Sequence, residues 1–179
     1  AVLRVVDFAQ NSEQLEWIQG RGWNQVLWES NEFPSAATLD AALLDKPVWL
    51  SRVDGHAGWA NSAAMELAGV DRRSEDPDGG QIIRDEDGNP TGVFIDNAMA
   101  MIRSQIPAIS MEEQKFALRT AMLKLAKLGL TSVHDAGAGS GTIEAYKLLL
   151  DDGPLPIRVN VMLSASDSFF EQRLNEGHY

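Results

Sequence analysis

Two short polar clusters in this sequence combine residue types that carbonyl and acid–base chemistry uses. His134 and Asp135 follow an apolar, β-branched stretch and precede a glycine-rich run between Gly137 and Gly141. A histidine beside a carboxylate at the carboxyl end of a parallel strand stands where α/β proteins bind their ligands, so this pair is the leading catalytic candidate. Its bland counterpart is a histidine closing a strand end and an aspartate organising a turn. Arg52, Asp54 and His56 form the second cluster, around Gly55, which frees the backbone to bring a cation, an anion and an imidazole near one ligand. Such a set orients a polar substrate, although an ion pair beside a satisfied histidine reads the same way.

The elements that must position these residues differ between the two halves. Ser110 followed by Glu113 is a capping box, and it opens a long amphipathic helix that Gly129 ends. A strand over 130–134, a loop over 135–141, a helix over 142–151 and a β-branched strand over 157–163 then read as a βαβ unit with parallel strands. Side-chain alternation puts Ser132 and His134 on one face and Val133 on the other. A further helix is expected from Ser166 to about Leu174. Before residue 108 the elements are shorter. A helix over 2–9, a strand over 15–18 running into a bend at Gly20-Arg21-Gly22, a helix over 38–44 capped by Thr38 and a strand over 47–53 are expected. Asn61 caps a helix over 62–68 that Gly69 stops, and strands over 81–84 and 91–95 form a hairpin. The domain division expected is 1–108 and 109–179.

Composition bounds the function. With 26 acidic against 15 basic residues in 179, the net charge is −11, which argues against a nucleic-acid surface and for a small-molecule or protein partner. Absence of cysteine removes disulfides, thiolate metal sites and Cys nucleophiles, and fits a cytoplasmic protein. No apolar run has the roughly 18–20 residues of a membrane span. Imidazole ligands can come only from His56, His134 and His178. All five tryptophans fall within the first 59 residues, where they are expected to pack a small core, with one or two free to line a pocket. The aspartates at 76, 78, 85 and 87 fail as a calcium loop, because aligning Gly88 with the required glycine places Ile83 and Phe94 at ligand positions. The run 137–141 departs from the dinucleotide fingerprint, since Thr142 takes the third glycine's place.

Taken in order, Gly20-Arg21-Gly22-Trp23, the stretch 47–53 leading into Asp54-Gly55-His56 and Asn61-Ser62, Asp76-Pro77-Asp78-Gly79-Gly80, Asp87-Gly88-Asn89-Pro90-Thr91-Gly92, and 129–136 resemble the third amidohydrolase family, the group that includes N-substituted formamide deformylases. The resemblance covers nearly the whole chain. It implies an α/β fold: about two parallel strands of a partial (β/α)8 barrel with helices, plus a mixed α+β insertion that encloses substrate. It further implies hydrolysis of an amide- or formamide-type carbon–nitrogen bond, with a divalent metal, zinc foremost, supplying the activated water. In the family that metal is held by a His-x-His pair and by Lys, His and Asp on strands that do not match here. No metal ligand is therefore assigned to this chain, which reads as an inactive internal fragment. His134 and Asp135 remain as catalytic candidates and Arg52, Asp54, His56 and Trp23 as substrate-binding ones, with self-association expected from open strand edges. The competing readings are a phosphate- or nucleotide-binding module at Gly137 to Gly141 and a non-catalytic interaction domain built on the Trp-rich half.

Overall fold

The computed structural model describes residues 1–12, 14–165 and 167–176. The chain divides into two compact units, Ala1–Pro107 and Ala108–Tyr179.

In the first unit, α1 (Val2–Gln10) is followed by β1 (Ile18–Trp23), α2 (Ala36–Asp40), β2 (Val48–Arg52), β3 (Ala57–Ala60), α3 (Ser62–Leu67), β4 (Gly80–Arg84), β5 (Pro90–Asp96) and α4 (Met99–Arg103). The five strands form one mixed sheet in the order β1-β2-β3-β5-β4. β1 and β2 run parallel, and the other pairs are antiparallel. Period-two alternation divides the apolar residues between two faces. On one, Ile18, Val48, Leu50, Trp59 and Val93 pack with Val5 and Ala9 of α1 and Leu39 of α2. On the other, Trp49, Ala60, Ile82 and Phe94 pack with Ala64 and Met65 of α3 and Met99 and Ile102 of α4. Gly58 is what lets Trp49 lie flat: a β-carbon there would stand 1.8 Å from the indole.

Several local expectations need correction. The first strand is displaced toward Trp23, because pairing with β2 draws Gln19 to Trp23 into an edge strand; the expected bend is reduced to a register shift at Gly22, whose φ is +97°. The second helix starts at Ala36 behind Ser35 and is not capped by Thr38. β3 and α4 went unforeseen. β3 is the four-residue run Ala57–Ala60, with glycine at its second position, and its strand character comes from the neighbours on both sides. The hairpin forms as expected, its turn closed by Asp85, whose Oδ1 accepts from the Asn89 N–H at 2.7 Å. Asn61 caps α3 as expected, accepting from the Ala64 N–H at 3.1 Å.

The second unit contains α5 (Met111–Lys127), β6 (Ser132–Ala138), α6 (Ser140–Asp151), β7 (Arg158–Leu163) and α7 (Phe170–Glu176). The Ser110–Glu113 capping box is present, and Gly129 leaves α5 in the left-handed region with φ +86°. β6 and β7 pair in parallel, as the helix–strand order required. β6 nonetheless begins later and runs four residues further than expected, to Ala138. Pairing with β7 carries it through the glycines, and a bulge at Gly137 (φ +84°) absorbs the irregularity. α6 accordingly begins at Ser140, two residues early. Met122, Tyr146, Leu149 and Ile157 form the core of this unit, with Val133, Val159 and Val161 packed against them. The last helix starts at Phe170, beyond the expected position. Ser166 lies outside the described residues, as does His178.

Candidate functional site

The cluster in the first unit is assembled where β2 turns back into β3. Trp23 and Arg52 are register partners at the ends of β1 and β2, and the Val53 N–H donates to the Trp23 carbonyl at 3.0 Å, which fixes the start of the turn. Arg52 donates through Nε to Gln25 Oε1 at 2.9 Å and forms an ion pair with Asp54. Asp54 Oδ1 accepts the His56 backbone N–H at 3.1 Å. At the far end of the turn, His56 Nδ1 lies 2.7 Å from Oδ1 of Asp96, the last residue of β5. The Asp96 N–H donates to the His56 carbonyl at 3.0 Å, and the backbone of Asp96 has the unusual φ of +46° for a non-glycine. The structure joins Arg52, Asp54 and His56, grouped in the sequence, to Gln25 and Asp96, which the sequence did not single out. Asp96 lies 40 residues from its histidine, and nothing local signals that partnership.

These contacts set the charges. The His56 backbone N–H, helped by the Arg52 guanidinium, holds the Asp54 carboxyl below its ordinary value of 3.8. The hydrogen bond to Asp96, and then its negative charge, raise His56 above the ordinary 6.5. Because the folded value of His56 is raised, its contribution to stability is fully present below the unfolded value and is lost as pH rises through the folded one. The Asp54 contribution has the opposite sense and is lost as pH falls through its lowered folded value. Titration of the His56 ring protons by NMR is expected to give a midpoint above 6.5, and Asp96→Asn is expected to bring it down. An unchanged midpoint in that variant would dissociate the pair. The side chain of His56 is 76% exposed. With Nδ1 engaged, and Nε2 bonded to none of the described residues, the arrangement presents a donor-capable ring edge flanked by one paired cation and two carboxylates.

Trp23 itself is buried. Its Nε1–H donates to the Leu50 carbonyl at 2.8 Å, and its ring sits among Trp28, Phe33 and Trp59 with centroid separations of 6.0–6.4 Å. It underlies the turn as a support for Arg52.

The second cluster lies on β6. His134 is in mid-strand, and the face it shares with Ser132 and Ala136 is exposed, while Val133 packs toward the helices. That division of faces is the one alternation required. Asp135, one residue on, points to the helix side, where its Oδ2 accepts from the Tyr146 hydroxyl at 3.0 Å. Burial first, and the Asp135 charge second, push the Tyr146 phenol up to about 12. His134 and Asp135 are therefore neighbours in sequence on opposite faces of one strand. The register partners on the His134 face of β7 are Arg158, Asn160 and Met162. Among the described residues no three His, Cys, Asp or Glu are grouped so as to hold a metal ion. The described residues do not fit a metal centre by themselves.

The glycine-rich run ends in a helix start that is already satisfied. Asp167 supplies one carboxylate oxygen to the Ser140 N–H and the other to the Ser140 hydroxyl, each at 2.7 Å. A carboxylate from the chain itself thus takes the Ser140 donors at the N-terminus of α6, where a phosphate would otherwise be received.

A mixed sheet with helices, a strand-borne histidine on an open face and a polar turn beside a buried tryptophan cluster make this an α/β segment, and its relatives give the family. The chain belongs to the amidohydrolase family, whose model matches residues 1–178. It is 43% identical over 133 residues to the protein LONG AFTER FAR-RED 3 of Arabidopsis thaliana, covering 74% of this chain and 23% of that one. It is 28% identical over 177 residues to the N-substituted formamide deformylase of Arthrobacter pascens, covering 96% and 32%. The crystal structure of an uncharacterised metal-dependent hydrolase from Pyrococcus horikoshii OT3 superimposes with a TM-score of 0.58 at 25% identity, over 90% of this chain and 32% of that one. The chain therefore spans no more than about a third of the length of these relatives. No helix among the described residues is long and apolar enough to cross a membrane.

Proposed function

We propose that this chain forms part of a longer metal-dependent hydrolase that cleaves an amide- or formamide-type carbon–nitrogen bond. The observation that carries the reading is His134 on the open face of a parallel strand pair, in a chain of the amidohydrolase family. In this reading β6 and β7 are consecutive strands of a (β/α)8 barrel, and residues 1 to about 108 are the insertion that encloses the substrate. A divalent metal, zinc foremost, would supply a water activated for attack on the carbonyl, held by residues beyond those of this chain. His134 faces substrate or the outer shell of that metal. Asp135 acts as a positioning residue through Tyr146. Arg52, Asp54 and His56 orient the polar end of the substrate, with Trp23 as their support. The 179-residue chain alone is inactive in this reading, and it acts in the cytoplasm.

The test is hydrolysis by the full gene product loaded with divalent metal, read as amine release from N-alkyl formamides and linear amides and as ring opening to an amino acid from cyclic amides. No turnover on any of the three classes would sink the proposal. In that protein His134→Ala is expected to lower kcat/KM by about 10–100-fold at unchanged metal content. Loss of metal would make His134 a ligand instead, and full activity would make it a bystander.

We also propose that the isolated chain self-associates. The exposed Ser132, His134 and Ala136 face of β6 lies in a sheet of only two strands, which leaves strand edges open for pairing. Sedimentation velocity should show a coefficient that rises with concentration; a constant monomer value would contradict this.

A further inference from the structure

The first unit contains a cleft of ≈ 420 Å³ that the residues discussed so far do not use. That volume falls within the roughly 300–1,000 Å³ typical of small-molecule sites. Its construction follows from the sheet. In the parallel pairing of β1 and β2, Gln19 stands beside Trp49 and Arg21 beside Ser51, so all four project from the same face. α4 closes the opposite side. Met99 and Arg103 are four residues apart, which stacks them along one stripe of the helix, while Ile102 anchors α4 in the core. Ile106 completes the wall just beyond α4, and Gly55 of the polar turn forms part of the rim.

Elsewhere in the unit Arg52, Arg73 and Arg84 each have an aspartate partner, while Arg4 and Arg72 have no ion pair among the described residues. What distinguishes this cleft is that two unpaired arginines line it together. Arg21 and Arg103 line the same cleft, and among the described residues neither has an ion pair or a side-chain hydrogen bond. Among the described residues no aspartate or glutamate lines it either, in a protein with 26 of them. Two unpaired, exposed guanidinium groups lining one concavity offer an anion two forks, each of which matches a carboxylate. Ile106, with the narrow accessible edges of the core residues Trp49 and Met99, adds an apolar wall to the cleft.

We infer that this cleft binds a small organic carboxylate, its charged end between Arg21 and Arg103 and its apolar body against Trp49, Met99 and Ile106. Gln19 and Ser51 supply neutral hydrogen-bonding groups along the same side. The site lies wholly within the first unit, so the inference stands independently of the hydrolytic reading.

The experiment is calorimetric titration of the 179-residue chain with benzoate, benzamide, acetate and inorganic phosphate, with the intrinsic tryptophan fluorescence of the first unit as a second signal. Benzoate is expected to bind saturably, and benzamide and acetate about tenfold or more weaker, because one lacks the charge and the other the apolar body. Arg21→Gln and Arg103→Gln are each expected to weaken benzoate by about tenfold while leaving benzamide unchanged. Both side chains are exposed, and an unaltered thermal midpoint will show that the variants fold. Should either fail to fold, Arg21→Lys or Arg103→Lys replaces it, with partial weakening expected because the ammonium keeps the charge and loses the fork. Equal affinity for benzoate and benzamide, tighter binding of phosphate than of benzoate, indifference to both substitutions, or no saturable binding at all would each overturn the assignment.

Discussion

Asn61→Ala is expected to destabilise the first unit by about 3 kcal/mol or more, since several buried polar groups lose their partners at once. The Asn61 side chain is fully buried and every hydrogen-bonding position on it is used. Oδ1 accepts from the Val48 N–H at 2.9 Å and the Ala64 N–H at 3.1 Å, while Nδ2 donates to the carbonyls of Leu43 at 3.0 Å and Lys46 at 2.9 Å. One amide therefore joins the start of β2, the first turn of α3 and the loop between α2 and β2. Truncation leaves the two buried donors of Val48 and Ala64 unpaired, each worth about 1–3 kcal/mol, and frees the part-buried carbonyls of Leu43 and Lys46 as well. Asn61→Asp is expected to cost nearly as much. It preserves the acceptor side but sets a carboxylate oxygen against two carbonyls. Urea unfolding followed by tryptophan fluorescence measures this cleanly, because all five tryptophans lie in the first unit and the signal ignores the second. A loss below about 1 kcal/mol would mean that water replaces the amide, contrary to the burial.

Trp23→Ala is expected to be comparably damaging, at about 3–5 kcal/mol. The ring is 5% exposed, contacts three other aromatic side chains and donates to Leu50. Trp23→Phe separates the contributions: it keeps an aromatic ring in the cluster and removes only the indole donor, for an expected loss of about 1–2 kcal/mol. If both variants unfolded like the parent chain, Trp23 would be a wall of an open pocket and its place beneath the Arg52 turn would be wrong.

Legibility in the sequence followed how local the determinants were. The α5 capping box, the Asn61 cap, the Asp85 hairpin turn and the parallel pairing of β6 with β7 were all readable, because each rests on residues close in sequence or on an unbroken helix–strand order. β3 was not. A run of Ala, Gly, Trp and Ala has no intrinsic strand preference and becomes a strand only between β2 and β5. The same limit hid the extension of β6 through Gly137, which made His134 look like a strand-end residue. At the polar turn, Arg52, Asp54 and His56 were visible as a motif. The sequence could not say that His56 pairs with Asp96, nor that Asp135 turns away from His134 toward Tyr146, because both depend on contacts between separate elements. The Arg21 and Arg103 cleft was equally hidden, its two cations being 82 residues apart by their numbering.

The carboxylate that caps α6 bears on the order in which the second unit can form. Asp167 is 27 residues beyond Ser140, on the far side of β7. As the polypeptide leaves the ribosome, the α6 segment is complete well before Asp167 emerges, and until then its first backbone donors have only water as a partner. The start of α6 thus gains its carboxylate cap only once the segment after β7 is in place, closing a loop of 27 residues at an entropy cost. A chain ending between residues 152 and 167 would leave the Ser140 N–H and hydroxyl to water, and its α6 would fray more readily at the start.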